Sequence, residues 1–330
     1  MFETYTEYLD DLERKFVDYF TDKKYLLESS VNITSQIDPT VDFIGSKISP
    51  LKHYILQDDI GQPGRCMIQN CIKLKSLHQL RASEPKMFGG YYKCMGLLAM
   101  PDLKTITNEL FDFLTSKEFL GIPANDLCIR ICSKDIDLLD AISDVNPDIR
   151  RDIDTVSLEH YRHVYGMDEH GITGRDYNIG LRRKGTDDFI NCGTFVVMEK
   201  QTGIIAVDLG LGNLTFSMCH FGNKTSASSS RLADLYSVCS LEEHKMADTI
   251  MIIAALLREN ILAHPSKHFR KKFRQYLNVM LFWNKKLCLS PDYIVDLIIQ
   301  YLLLEYHEDY SIMRFEWRQV ISNASDRYGR

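Results

Sequence analysis

Three β-like segments, "DYNIGLR" at 176–182, "FINCGTFVVM" at 189–198 and "GIIAVD" at 203–208, follow one another with only short loops between them. A parallel pair needs a crossover of a dozen or more residues. Loops this short therefore impose an antiparallel sheet and exclude a doubly wound one. Earlier strand-like segments are "RCMIQNCIKL", after the turn "GQPG" at 61–64, and "LCIRIC" at 127–132. The stretch "DPTVDFIGSKISPLKHYIL", broken by Gly45 and Pro50, reads as extended. Two amphipathic helices accompany the strands. One carries Tyr5, Tyr8, Leu9, Leu12, Phe16, Tyr19 and Phe20, and the other carries Leu103, Ile106, Leu110, Phe111, Leu114 and Phe119 at helical spacing. Beyond the serine-rich "TSASSS" at 225–230 the pattern is wholly helical. The fold class expected is α+β: an antiparallel sheet flanked by helices over 1–224, then a small all-α domain over 225–330.

Charge and cysteine usage narrow the setting. Thirty-nine basic against 45 acidic residues give a net charge of −6, which excludes DNA or RNA binding through bulk charge and leaves room for a local basic patch. The nine cysteines contain no CxxC pair, and no signal peptide opens the chain, so a reduced, cytoplasmic protein is expected. The runs Ile250–Leu257 and Tyr293–Leu304 are too short or too interrupted to span a bilayer.

Several motifs carry chemistry under one of two readings. "AVDLGLGNLTF" at 206–216 is either a strand end with a tight turn or a ligand site. In the second case Asp208 pairs with a substrate ammonium while Gly210 and Gly212 let the ligand approach the backbone. In "GMDEHGITGRDYNIGLR", Gly171 and Gly174 bracket a turn leading to Arg175 and Asp176. The run at 264–277 concentrates Lys267, Arg270, Lys271, Lys272 and Arg274; it is a solvated helix face or a polyanion contact. His264 and His268 have metal-pair spacing, but Pro265 interrupts their helix and no third ligand is evident, so no metal site is expected.

The order of these segments resembles the catalytic core of alanyl-tRNA synthetase, a class II aminoacyl-tRNA synthetase. Asp38, Pro39, Thr40, Phe43, Lys52 and Tyr54 fall on its motif 1 region; "QNCIKL" and "YYKCMG" resemble the two strands of motif 2; and "VDLGLGNLTF" is similar to the motif 3 approach Val-Asp-Thr-Gly-Met-Gly-Leu-Glu-Arg. The likeness runs collinearly over about residues 5–216 and continues faintly into the helical region. It implies a truncated, stand-alone paralogue without editing and C-terminal domains, dimerising through residues 30–55. The site it implies has Asp208 receiving the α-ammonium, Gly210 and Gly212 forming the adenylate wall, and Asn191 lining the side-chain pocket. Lys73 would be catalytic on the α-phosphate, with Lys75 and Arg175 as further ATP contacts, Mg²⁺ accompanying the ATP, and Lys267, Arg270, Lys271 and Arg274 facing tRNA. Three positions depart from the family: Lys73 stands for the motif 2 arginine, Thr215 for the motif 3 arginine, and Asn178 for an acid. The function implied is an amino-acid-activating ligase that forms an aminoacyl adenylate and passes the acyl group to a small molecule, carrier protein or tRNA. Two rival readings stand beside it: a non-catalytic amino-acid- or tRNA-binding regulator, and an ATP-independent aminoacyl transferase using charged tRNA.

Overall fold

The computed structural model describes residues 2–73, 79–164 and 166–328. Helix α1 (Tyr5–Asp22) starts at a capping box in which Thr4 and Glu7 satisfy each other's backbone N–H groups, and it buries Leu9, Leu12, Phe16, Tyr19 and Phe20. The sheet is built from β1 (Leu26–Leu27), β2 (Gly64–Ile72), β3 (Tyr91–Ala99), β4 (Leu127–Cys132), β5 (Arg150–Asp154), β6 (Arg162–His163), β7 (Thr173–Arg182), β8 (Phe189–Lys200) and β9 (Gly203–Gly212). Their order is β1-β2-β3-β9-β8-β7-β4-β5, with β6 beside β7. The centre, from β2 to β4, is antiparallel, and the short loops demand this for the pairs β7–β8 and β8–β9. Both edge pairs, β1 on β2 and β5 on β4, are parallel, so the sheet is mixed.

Pleating divides the centre of the sheet into two faces. Tyr177 and Ile179 of β7, Phe195 and Val197 of β8, Val207, Leu209 and Leu211 of β9, and Met95 and Leu97 of β3 share one face. They form a single core with α1, α3 (Leu103–Thr115), α4 (Ile136–Ala141) and α5 (Asn213–Phe221). The opposite face carries Asp176, Asn178, Thr194, Val196, Asp208 and Gly210 in matched cross-strand rows. Helix α2 (Ile48–Leu56) closes one end of that face by packing Ile48, Leu51 and Ile55 on Met67, Leu98, Val196, Met198 and Ala206. The extended conformation expected for 48–56 is thereby corrected. Pro50 sits in the first helical turn, where a missing N–H has no intrahelical partner to lose.

Helices α6 (Leu241–Arg258), α7 (Lys267–Leu287), α8 (Pro291–Tyr306) and α9 (Arg314–Tyr328) build a second core that also takes in Ile33, Phe43, Ile72 and Tyr91 from the sheet half. Charge joins the two halves as well. The Arg231 side chain, 1% exposed, pairs with Asp10 and Glu13 of α1 and with Glu305 of α8, while Lys93 of β3 reaches both glutamates. No single helix among the described residues is long and apolar enough to cross a membrane.

Candidate functional site

A cavity of about 380 Å³ opens on the polar face of the sheet, beside the loop that precedes β3. Lys73, Asn191, Asp208, Gly210, Gly212 and Thr215 all line it, together with Tyr92, Cys94, His163, Thr194 and Ser226. Parity explains the meeting of Asp208, Gly210 and Gly212: they alternate with the core residues Val207, Leu209 and Leu211 along β9. The tight turn read at "DLGLG" is corrected here, because β9 continues through both glycines and α5 begins only at Asn213. Glycine weakens a strand interior, but pairing with β3 on one side and β8 on the other holds these residues in the ladder. A Cβ at Gly210 would have only Cys94 Sγ, at 3.6 Å, within 4 Å, so the glycine bares backbone to the cavity.

Asn191 reaches the same face through an irregularity. By simple alternation from Thr194 it would point into the core. The register shifts between Ile179 and Gly180, so that Gly180 pairs with Asn191 while Ile179 pairs with Gly193, and the extra residue re-aims Asn191. Its Nδ2 donates to Asn178 Oδ1 at 2.7 Å, and Thr194 Oγ1 donates to the same oxygen at 3.2 Å. Asn178 Nδ2 donates onward to Asp176 Oδ2 at 3.4 Å, which His163 Nε2 also meets at 3.0 Å. Asp176, 1% exposed, keeps Oδ1 buried without a hydrogen-bond partner among the described residues.

Lys73 stands exposed just beyond β2, with Nζ 4.9 Å from the Tyr92 ring centroid. Asp208 is 6% exposed, and its Oδ1 accepts from Lys47 Nζ, a fully buried ammonium that also donates to Leu97 O. Nothing in the local sequence around "VDLGLG" signals this lysine. Burial raises the Cys94 and Cys192 thiols above their ordinary range, so both remain protonated. The loop over the cavity is pinned from the helical half. Gly89 N–H donates to Ser226 Oγ at 2.7 Å, and Gly90 N–H donates to Asp248 Oδ1 at 2.8 Å.

The remaining candidates lie elsewhere. Arg175 shares the parity of Tyr177 and Ile179, and its guanidinium is engaged by Asp137, Glu199 and Asp135, outside the cavity lining. Lys75 lies outside the described residues. Lys267, Lys271 and Arg274 are exposed on α7; Arg270 is half-buried and donates to the carbonyls of His264 and Pro265, and Lys272 lies 3.6 Å from Asp42. His264 accepts from Ser266 N–H at 3.1 Å and His268 pairs with Asp42 at 2.9 Å. The motif 1-like residues brace their own segment. Lys52 joins Asp38 at 2.8 Å and Thr40 at 2.9 Å, and Phe43 stacks on Phe269. Within 30–55, Ile33 and Phe43 are buried in the helical core of the same chain.

Comparison with solved structures finds similarity to aminoacyl-tRNA synthetases. Histidyl-tRNA synthetase from S. aureus has a TM-score of 0.39 at 10% identity, covering 65% of this chain and 66% of that one. Aspartyl-tRNA synthetase from Entamoeba histolytica has a TM-score of 0.40 at 8% identity, covering 69% and 57%. In sequence the chain is similar to alanine–tRNA ligases, as the motif order implied. It is 25% identical over 126 residues to that of Treponema denticola, covering 37% of this chain and 20% of the relative. Against that of Borreliella afzelii it is 25% identical over 138 residues, covering 38% and 21%. The match thus spans about a fifth of the length of these relatives. No protein-family profile matches the chain.

Proposed function

We propose that this chain is an ATP-dependent ligase that activates a small carboxylic acid of the amino-acid type and passes the acyl group to an acceptor other than a standard one: a small molecule, a carrier protein or a tRNA. The observation that carries this reading is the convergence of Lys73, Asn191, Asp208, Gly210 and Gly212, drawn from β9, β8 and the end of β2, on one cavity. Lys73 fits a phosphate contact because it is an exposed point charge at the cavity rim. No group of three metal-ligating side chains occurs among the described residues, so Mg²⁺ would arrive on the phosphates rather than in a protein cage. ATP would supply the activation of the carboxylate. The chain's own work would be to hold the acid over the bare backbone of Gly210 and Gly212 and to neutralise charge with Lys73. Contact of Lys267, Lys271 and Arg274 with tRNA, a homodimer through residues 30–55 and a reduced, cytoplasmic setting belong to the same reading.

Pyrophosphate exchange measured across the twenty amino acids and a panel of small carboxylic acids tests it. Exchange with one member supports the ligase, and its absence throughout overturns it. A second reading, a binding protein that performs no phosphoryl chemistry, is favoured by one specific feature: among the described residues no arginine lines the cavity. Ligand binding by calorimetry without any exchange selects it. Acyl transfer from charged tRNA in the absence of ATP selects a transferase instead.

A further inference from the structure

Lys47, at the N-cap of α2, reaches Asp208 from outside the cavity lining, and its side chain has no exposed surface. Its stem crosses β3 over Gly96, where an added Cβ would stand 2.7 Å from Lys47 Cε. A side chain at position 96 would block this path, so glycine there and lysine at 47 form one built arrangement. The ammonium ends on Leu97 O and on Asp208 Oδ1. The carboxylate that lines the cavity therefore already holds a cation supplied by its own chain.

A ligand α-ammonium reaching Asp208 has two options. It displaces Lys47, leaving a buried charge without its counter-charge, or it joins Lys47 on one carboxylate as a second like charge. Displacement breaks a buried pair and is unfavourable by on the order of a hundredfold or more in binding, while joining sets two like charges on one carboxylate. We propose that Lys47 is a specificity-determining residue: it holds Oδ1 of Asp208 and neutralises the carboxylate that the cavity presents, so the cavity takes acids of amino-acid size whose α-substituent is uncharged, a hydroxyl or an acylated nitrogen. This rests on the reading of the cavity as the acid-binding site and narrows its substrate class.

The test uses the full chain and matched triplets, each a free amino acid, its 2-hydroxy acid and its N-acetyl derivative, titrated by calorimetry. The wild type binds an uncharged member at least tenfold more tightly than the free amino acid. Lys47→Met reverses that order, because Asp208 then lacks a cation. Lys47→Gln, which keeps an amide donor and carries no charge, reverses the order too and reads the effect if Lys47→Met fails to fold. The double variant Lys47→Met/Asp208→Asn, which offers an ammonium no carboxylate, keeps the uncharged preference. A wild type that favours the free amino acid or binds no member of any triplet, or a preference that survives in both lysine variants, overturns the assignment. Pyrophosphate exchange best supported by a free amino acid sinks this inference and leaves the ligase standing. An uncharged preference reversed in a lysine variant, without exchange, does the reverse.

Discussion

Asp248 Oδ1, buried on α6, accepts the backbone N–H of Gly90 at 2.8 Å and so ties the helical half to the loop over the cavity. Burial raises the Asp248 carboxyl from its ordinary range to about 6. The folded state therefore binds a proton more readily than the unfolded chain. Stability from this group is full below about pH 4, falls between about pH 4 and pH 6, and stays lower above. Asp248→Asn keeps an acceptor for Gly90 and removes the titration. Thermal or urea unfolding should show the variant more stable than wild type by about 2–3 kcal/mol at pH 7.5, with the gap closing near pH 4. A gap independent of pH would contradict this account.

Arg231 faces three carboxylates, and its replacement leaves them without that charge. Arg231→Met should destabilise the protein by about 3–5 kcal/mol, read from urea midpoints. Adding Glu305→Gln to it should recover part of the loss, since it leaves Lys93 to Glu13 and removes one surplus buried carboxylate.

Two glycines on neighbouring strands should behave oppositely. Gly210→Val projects into the cavity, with only Cys94 Sγ nearby, so it should lower ligand affinity tenfold or more and leave the melting temperature nearly unchanged. Gly96→Ala instead meets the Lys47 stem and the Leu209 carbonyl, and should cost about 1–3 kcal/mol in stability.

Lys73 and Arg175 separate activity from stability. Lys73→Ala should lower exchange or transfer by about two to three powers of ten with little change in unfolding, if its charge serves the phosphate. Arg175→Gln breaks contacts to Asp137 and Glu199 on the other face. It should lower stability and leave ligand binding unchanged by calorimetry.

The antiparallel run β7-β8-β9 was legible because loop length restricts connection, and that restriction is geometric. The meeting of Asp208, Gly210 and Gly212 followed from strand parity, and Arg175 could have been excluded by the same count, since it alternates in phase with Tyr177. The glycines misled as a turn, because local propensity says nothing of two partner strands. Residues 48–56 misled as extended because what Pro50 does to a helix depends on its distance from the helix start, which the sequence leaves open. Lys47 was beyond reach: it meets Asp208 across |i−j| = 161, and no periodicity encodes that encounter. The parallel edges were equally hidden, because β1 is a two-residue strand.

The irregular pairing at Ile179 and Gly180 also says how such a pocket can change over time. Orientation on a pleated ribbon depends on counting, so a one-residue indel between Asn191 and Thr194 would turn the amide inward and present a neighbour in its place. A lineage could thus exchange one lining side chain in a single length mutation, with the rest of the chamber left in place.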